Sequence, residues 1–159
     1  FGFQIESVVV MVYTMMLEIV FLYDLKKQLI SDTVLIPLAI VALLALPIRD
    51  LSFVDVITGS AIAAGFFGAQ YLVSRGKWIG AGDIRLGVVM GLMLGWKGVV
   101  VALLLAYTLG AIVGIALLLS KKATGKTAVP FGTFLSLATV ITLLYGGVIV
   151  EWYFNLIGL

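Results

Sequence analysis

An all-α, polytopic membrane fold of about six helices is the architecture this sequence predicts, on three observations. Of its 159 residues, 63% are hydrophobic and only 11% are charged, more apolar surface than one soluble core of that size can enclose. The apolar residues fall in long runs rich in Leu, Ala and Gly without period-two alternation, as over 99–119, which favours helices over strands. The polar residues gather in short loops, and only helices or closed barrels can cross a bilayer.

The apolar segments cover about 5–23, 33–48, 55–74, 84–96, 98–120 and 131–157. The first runs into the polar stretch DLKKQLISD, after which the second begins and ends near Arg49. The third closes at SRGK. The fourth, IRLGVVMGLMLGW, rises only about 20 Å at 1.5 Å per residue, short of a hydrocarbon core roughly 30 Å thick. WIGAGD is therefore expected to enter the membrane as a non-helical approach, tolerated at that depth only when buried in protein or lining a watery cavity. The fifth segment follows Lys97, and the sixth follows the loop SKKATGKTAVPFG.

Three loops carry Lys26, Lys27, Arg75, Lys77, Arg85, Lys121, Lys122 and Lys126, most of the chain's ten basic residues. The opposite loops carry only Arg49 and Lys97. The positive-inside rule then puts the three basic loops in the cytoplasm and both termini outside, which six alternating crossings satisfy. The net charge of +2 is read as topology, with no nucleic-acid partner. Neither a soluble domain nor an internal repeat is visible. The opening FGFQIES lacks both an initiator Met and a basic leader, so a piece of a longer protein is expected.

Two absences limit the chemistry. There are no cysteines and no histidines, which removes Cys-ligated zinc, cysteine nucleophiles, His-based triads and HExxH sites together. No metal or cofactor is expected. The glycines Gly87, Gly91 and Gly95 share one face of the fourth segment, and Gly110 and Gly114 share one in the fifth, a pattern read as close helix packing.

The acids are the informative residues. Asp83 follows Gly80 and Gly82 in GAGD, where it reads either as the N-cap of the fourth helix or as a working carboxylate; the glycines permit backbone angles closed to other residues and let neighbouring chain come close. Asp24 closes the first segment, and an anion at a helix C-terminus is electrostatically unfavourable, so it either reaches for water or is used. Helix one ends and helix four begins at the same membrane face, so the two acids can meet. Carboxylates a few ångströms apart cannot both ionise cheaply and share a proton. Such a pair can activate water and polarise an amide carbonyl.

These motifs, taken in order, give the chain its resemblance. YDLKKQLISDTVLIPL, GAGDIRLGVVMGLMLGW and AVPFGTFLSLAT resemble the C-terminal membrane domain of the bacterial type IV prepilin peptidases, aspartic proteases of the GxGD type. The resemblance implies Asp24 and Asp83 as the catalytic pair, with Gly80 and Gly82 shaping the second motif. It implies a prepilin or pseudopilin substrate, cut after its short basic leader at the cytoplasmic side of the bacterial inner membrane, by a multi-pass enzyme of type IV pilus or type II secretion systems. It also implies that the chain is the C-terminal part of a longer bifunctional enzyme, whose methyl-transfer portion is not represented here.

Two positions depart from the family pattern: Ser31 stands where Pro is common, and Arg85 where Lys is common. Asp32 then reads as an N-cap of the second helix or as an auxiliary contact to a basic leader. Glu18, inside the first segment, reads as a structural hydrogen-bonding group or as an influence on the pair, an intramembrane acid being a functional hypothesis by default. Rival readings are a proton-coupled transporter relaying through Glu18, Asp24 and Asp83, and an assembly subunit in which both Asp residues only cap helices. A presenilin-like protease would share YD and GxGD but requires a Pro-Ala-Leu motif, which VPFG does not supply.

Overall fold

The computed structural model describes residues 5–120 and 130–156. These form five helices and, among the described residues, no strand: α1 (Ile5–Lys27), α2 (Asp32–Leu44), α3 (Phe53–Ser74), α4 (Ala81–Leu119) and α5 (Phe131–Leu156). Lys121, Lys122 and Lys126 lie outside the described residues.

Four of the helices, α1, α3, α4 and α5, are long and apolar enough to cross a membrane, where six crossings were expected. The difference has two physical origins. The second segment stops at Leu44 because Pro47 has no N–H to offer a continuing helix and disfavours helical angles at Leu46. At 13 residues, α2 rises about 20 Å, too little to span the hydrocarbon core unaided. The expected fourth and fifth segments both belong to α4, interrupted at Gly95 (φ 66°, ψ −179°), a conformation open essentially to glycine alone. The part of α4 before that kink rises about 21 Å and is again too short to span by itself.

α4 is the centre of the bundle, packing on α2, α3 and α5, while α1 packs on α5 and α2. The buried residues of α1 are Tyr13, Leu17, Val20 and Asp24, spaced four, three and four apart, as one helical face requires. Asp24 is thus the last member of an otherwise apolar inward stripe. Glu18 lies off that stripe and is exposed.

The α3–α4 contact rests on glycine. A Cβ on Gly91 would overlap the backbone of Gly59 and Ser60, one on Gly59 would come within 2.7 Å of the Gly95 carbonyl carbon, and one on Gly87 within 2.8 Å of the Phe67 ring. Ser60 Oγ donates to the Val88 carbonyl at 3.0 Å across the same contact. Close backbone approach of this kind substitutes for the hydrophobic driving force that helices lack in lipid. The second glycine pair differs from expectation: Gly110 makes only ordinary contacts with Phe134 and Phe131, and Gly114 has nothing within 4 Å of a Cβ position.

Gly91→Ala is therefore expected to destabilise the protein by about 1–3 kcal/mol, the usual cost of overfilling a packed site, whereas Gly114→Ala leaves stability unchanged or slightly raised. Thermal unfolding of the two variants in one detergent checks the contrast.

Candidate active site

Asp24 and Asp83 arrive from opposite directions at one end of the bundle. Asp24 sits in the last turn of α1, which closes with Gln28 in a left-handed conformation (φ 52°) whose N–H donates to the Asp24 carbonyl at 2.7 Å. Asp83 sits in the first turn of α4. Both are buried, at 4% and 8% exposure, and both line a cavity of about 220 Å³ that also includes Ile30, Gly80, Gly82 and Arg85.

Each carboxylate is held by a different helix start. Asp24 Oδ2 accepts the Thr133 backbone N–H at 2.7 Å and the Thr133 hydroxyl at 3.1 Å. Thr133 lies in the first turn of α5, whose leading N–H groups have no partner within the helix and whose dipole favours a negative group. Asp83 Oδ2 accepts the Gly80 N–H at 3.0 Å, while the Asp83 N–H donates to the Gly80 carbonyl at 3.2 Å. Among the described residues no hydrogen bond joins the two carboxyl groups, so the cavity is shared but its two acids are separately tethered.

Four expectations are revised by this geometry. Asp83 is not the N-cap: Gly80 is, and Asp83 stands three residues further on, reaching back to the cap N–H as acids at that position do. The non-helical approach consequently ends at Gly80 rather than at Asp83. Neither motif glycine uses a left-handed backbone: Gly80 is extended (φ −81°, ψ 157°) and Gly82 lies within α4. The close approach of neighbouring chain also expected of these glycines is made at Gly82, where a Cβ would lie 3.0 Å from Ile30 Cβ. Asp32 is likewise not the α2 N-cap, a position held by Ser31 without a side-chain bond; Asp32 instead pairs with Arg85.

Sequence reading missed Thr133 and Gly132. A Cβ on Gly132 would meet Asp24 Oδ2 at 2.9 Å and Ile30 Cδ1 at 2.8 Å, so only glycine lets the start of α5 close over Asp24. Ile30 is thereby wedged between Gly82 and Gly132. The available signal was PFGT, a proline, a glycine and a hydroxyl residue opening an apolar run, which marks a helix start but not which side chain that start receives. Glu18 borders a groove between α1 and α5 with Thr14 and Ser136, away from the carboxylate cavity, and makes no hydrogen bond or ion pair among the described residues. A file of acids linking Glu18 to the pair is therefore not what the helices build.

Residues 11–115 match the model of the type IV leader peptidase family, a span that contains both carboxylates and every cavity residue named above. The chain belongs to that family. It is 32% identical over 140 residues to a prepilin leader peptidase/N-methyltransferase of Aeromonas salmonicida, an alignment covering 84% of this chain and 48% of the relative. The relative of the same name in Legionella pneumophila is 30% identical over 158 residues, 96% of this chain and 55% of its own. That in Bacillus subtilis is 28% identical over 159 residues, 98% of this chain and 63% of its own. This leader peptidase family chain therefore spans about half the length of the curated relatives it matches. No solved structure matches it.

Removing the side-chain donor of Thr133 tests the Asp24 tether. Thr133→Val keeps the shape and is expected to cost about 1.5–3 kcal/mol, the range for hydrogen bonds to charged groups, while Thr133→Ser retains most of the stability. Chemical denaturation in a fixed detergent, with secondary structure followed by circular dichroism, measures both.

Proposed function

We propose that this chain is the peptidase domain of a prepilin leader peptidase, an aspartic endopeptidase that cuts prepilins and pseudopilins at the cytoplasmic face of the membrane. The observation that carries this reading is the meeting of Asp24 and Asp83, both buried and from motifs far apart in sequence, in one cavity. Family membership supplies the substrate class. The cytoplasmic location is supported by Lys26, Lys27, Arg75, Lys77 and Arg85, which belong to the helix ends and loops around the cavity and mark a cytoplasmic face by the positive-inside rule.

In this reading the pair holds one proton and acts as a unit. The ionised carboxylate takes a proton from water as the water oxygen bonds to the scissile carbonyl carbon, and the protonated one donates to the carbonyl oxygen. Collapse of the tetrahedral adduct breaks the C–N bond and re-forms the carbonyl: the departing amine receives the proton the pair acquired from water, and one adduct hydroxyl returns its proton to the other carboxylate, restoring the singly protonated pair. Thr133 and Gly80 are positioning residues, holding the two carboxylates toward the cavity through the bonds described above. The methyl transfer in the relatives' names is not assigned to these residues.

The Asp32–Arg85 pair stands at the cavity edge, half-exposed on both sides, where an ion pair contributes roughly 0–1 kcal/mol. A basic leader residue can exchange for Arg85 at such a cost, so Asp32 serves as a contact for the substrate's positive charge.

Asp24→Asn and Asp83→Asn should each lower cleavage of a prepilin peptide in liposomes by at least about 100-fold, the scale of a lost acid–base group, with melting temperatures near that of the wild type. Full cleavage by either folded variant removes that residue from the mechanism. Asp32→Asn should raise KM for a leader rich in Lys with little change in kcat, and an unchanged KM would remove the leader contact.

A further inference from the structure

The end of the bundle away from the carboxylates holds a second polar site. From Glu6 to Asp24 helix α1 rises about 27 Å, close to the thickness of the hydrocarbon core. At the Glu6 end, a recess of about 310 Å³ is bordered by Glu6, Arg49, Lys97 and Thr142, together with Gly146 and Gly147 of α5. Arg49 and Lys97 are the two basic residues that the sequence assigns to the loops opposite the basic ones, and the fold brings them into one recess although α3 and the first part of α4 separate them in the chain.

Arg49 is the telling residue. Its side chain is 14% exposed, and its Nε and Nη1 atoms are shielded from solvent without a hydrogen-bond acceptor among the described residues. The nearest carboxylate, Glu6 Oε1, stands 3.8 Å from Nε, beyond hydrogen-bond range, and Glu6 itself is 52% exposed. Buried guanidinium donors left unpaired are costly, and such groups in a native fold call for a partner. The recess wall carries one acid, Glu6, and two bases, Arg49 and Lys97. Gly147 adds room, a Cβ there meeting nothing within 4 Å.

A second observation says what kind of partner fits. The recess shares Glu6 and Leu143 with a groove of about 560 Å³ between α1 and α5, lined mainly by apolar side chains including Val10, Met11 and Met15. A cationic recess opening into an apolar groove within the membrane matches a molecule with an anionic head and a hydrocarbon tail. We propose that this is a binding site for an anionic phospholipid. Its phosphate oxygens pair with the guanidinium of Arg49, whose planar donors suit phosphate, the ammonium of Lys97 adds charge, and one acyl chain lies along the α1–α5 groove.

Native mass spectrometry of the full chain, titrated with phosphatidylglycerol or with phosphatidylcholine of the same acyl composition, tests this. The expected result is at least about ten-fold preference for phosphatidylglycerol, abolished by Arg49→Gln and reduced several-fold by Lys97→Gln, with inorganic phosphate at millimolar concentration failing to displace the lipid. Equal retention of the two lipids by the wild type overturns the proposal. So does wild-type retention of phosphatidylglycerol by Lys97→Gln, the deciding variant should Arg49→Gln not fold. Displacement by inorganic phosphate alone makes the occupant a soluble anion and overturns the lipid assignment.

Discussion

A carboxylate on the inward stripe of a membrane helix must find donors or remain a burden on the fold, and in this chain the donors come from the first turn of α5. The bond from the Thr133 N–H to Asp24 at 2.7 Å satisfies a group on each side: the acid gains a partner, and the helix start loses one of its unpaired N–H groups. Much else follows from that contact. Gly132 must lack a side chain, Ile30 must fill the space left beside it, and α1 must pack on α5 along its length.

The remainder of the cavity is set by α4, which α3 holds through glycine. Because the α3 and α4 backbones approach within van der Waals distance at Gly59 and Gly91, and the Phe67 ring closes on Gly87, the start of α4 is fixed relative to the bundle with little freedom. Asp83 then needs no second helix to hold it: its own first turn does so, through Gly80. One acid is thus secured within its helix and the other across two helices.

The convergence of Asp24 and Asp83 was legible in the sequence because both are acids at segment ends, and the alternation of segments puts those ends on one face. The partners of the acids were not. Thr133 follows a proline and a glycine in a pattern that signals a helix start and nothing about its neighbour, and 109 positions separate it from Asp24. Of the two uses read for Gly80 and Gly82, special backbone angles are not made, while close approach of neighbouring chain is made at Gly82, against the Ile30 side chain, whose identity no local pattern announces. Segment count and helix length part company at α2 and the early part of α4, which are apolar but shorter than the hydrocarbon core. The break at Gly95 lies inside the fourth segment, drawn to 96, one residue short of its end, so its neighbourhood was legible while its form, one glycine in place of a loop, was not. Asp32 was read from its own helix alone, whereas its partner is Arg85 on another.

The order of synthesis gives the α5 contact a further meaning. Of the described helices, α5 leaves the ribosome last, long after α1 and Asp24 have been made. Until it arrives, Asp24 lacks both the Thr133 N–H and the Thr133 hydroxyl, although Asp83 already has its Gly80 bond as soon as α4 begins. The two halves of the cavity therefore mature at different times during biogenesis, and a nascent chain halted before residue 133 carries both acids but only one finished socket.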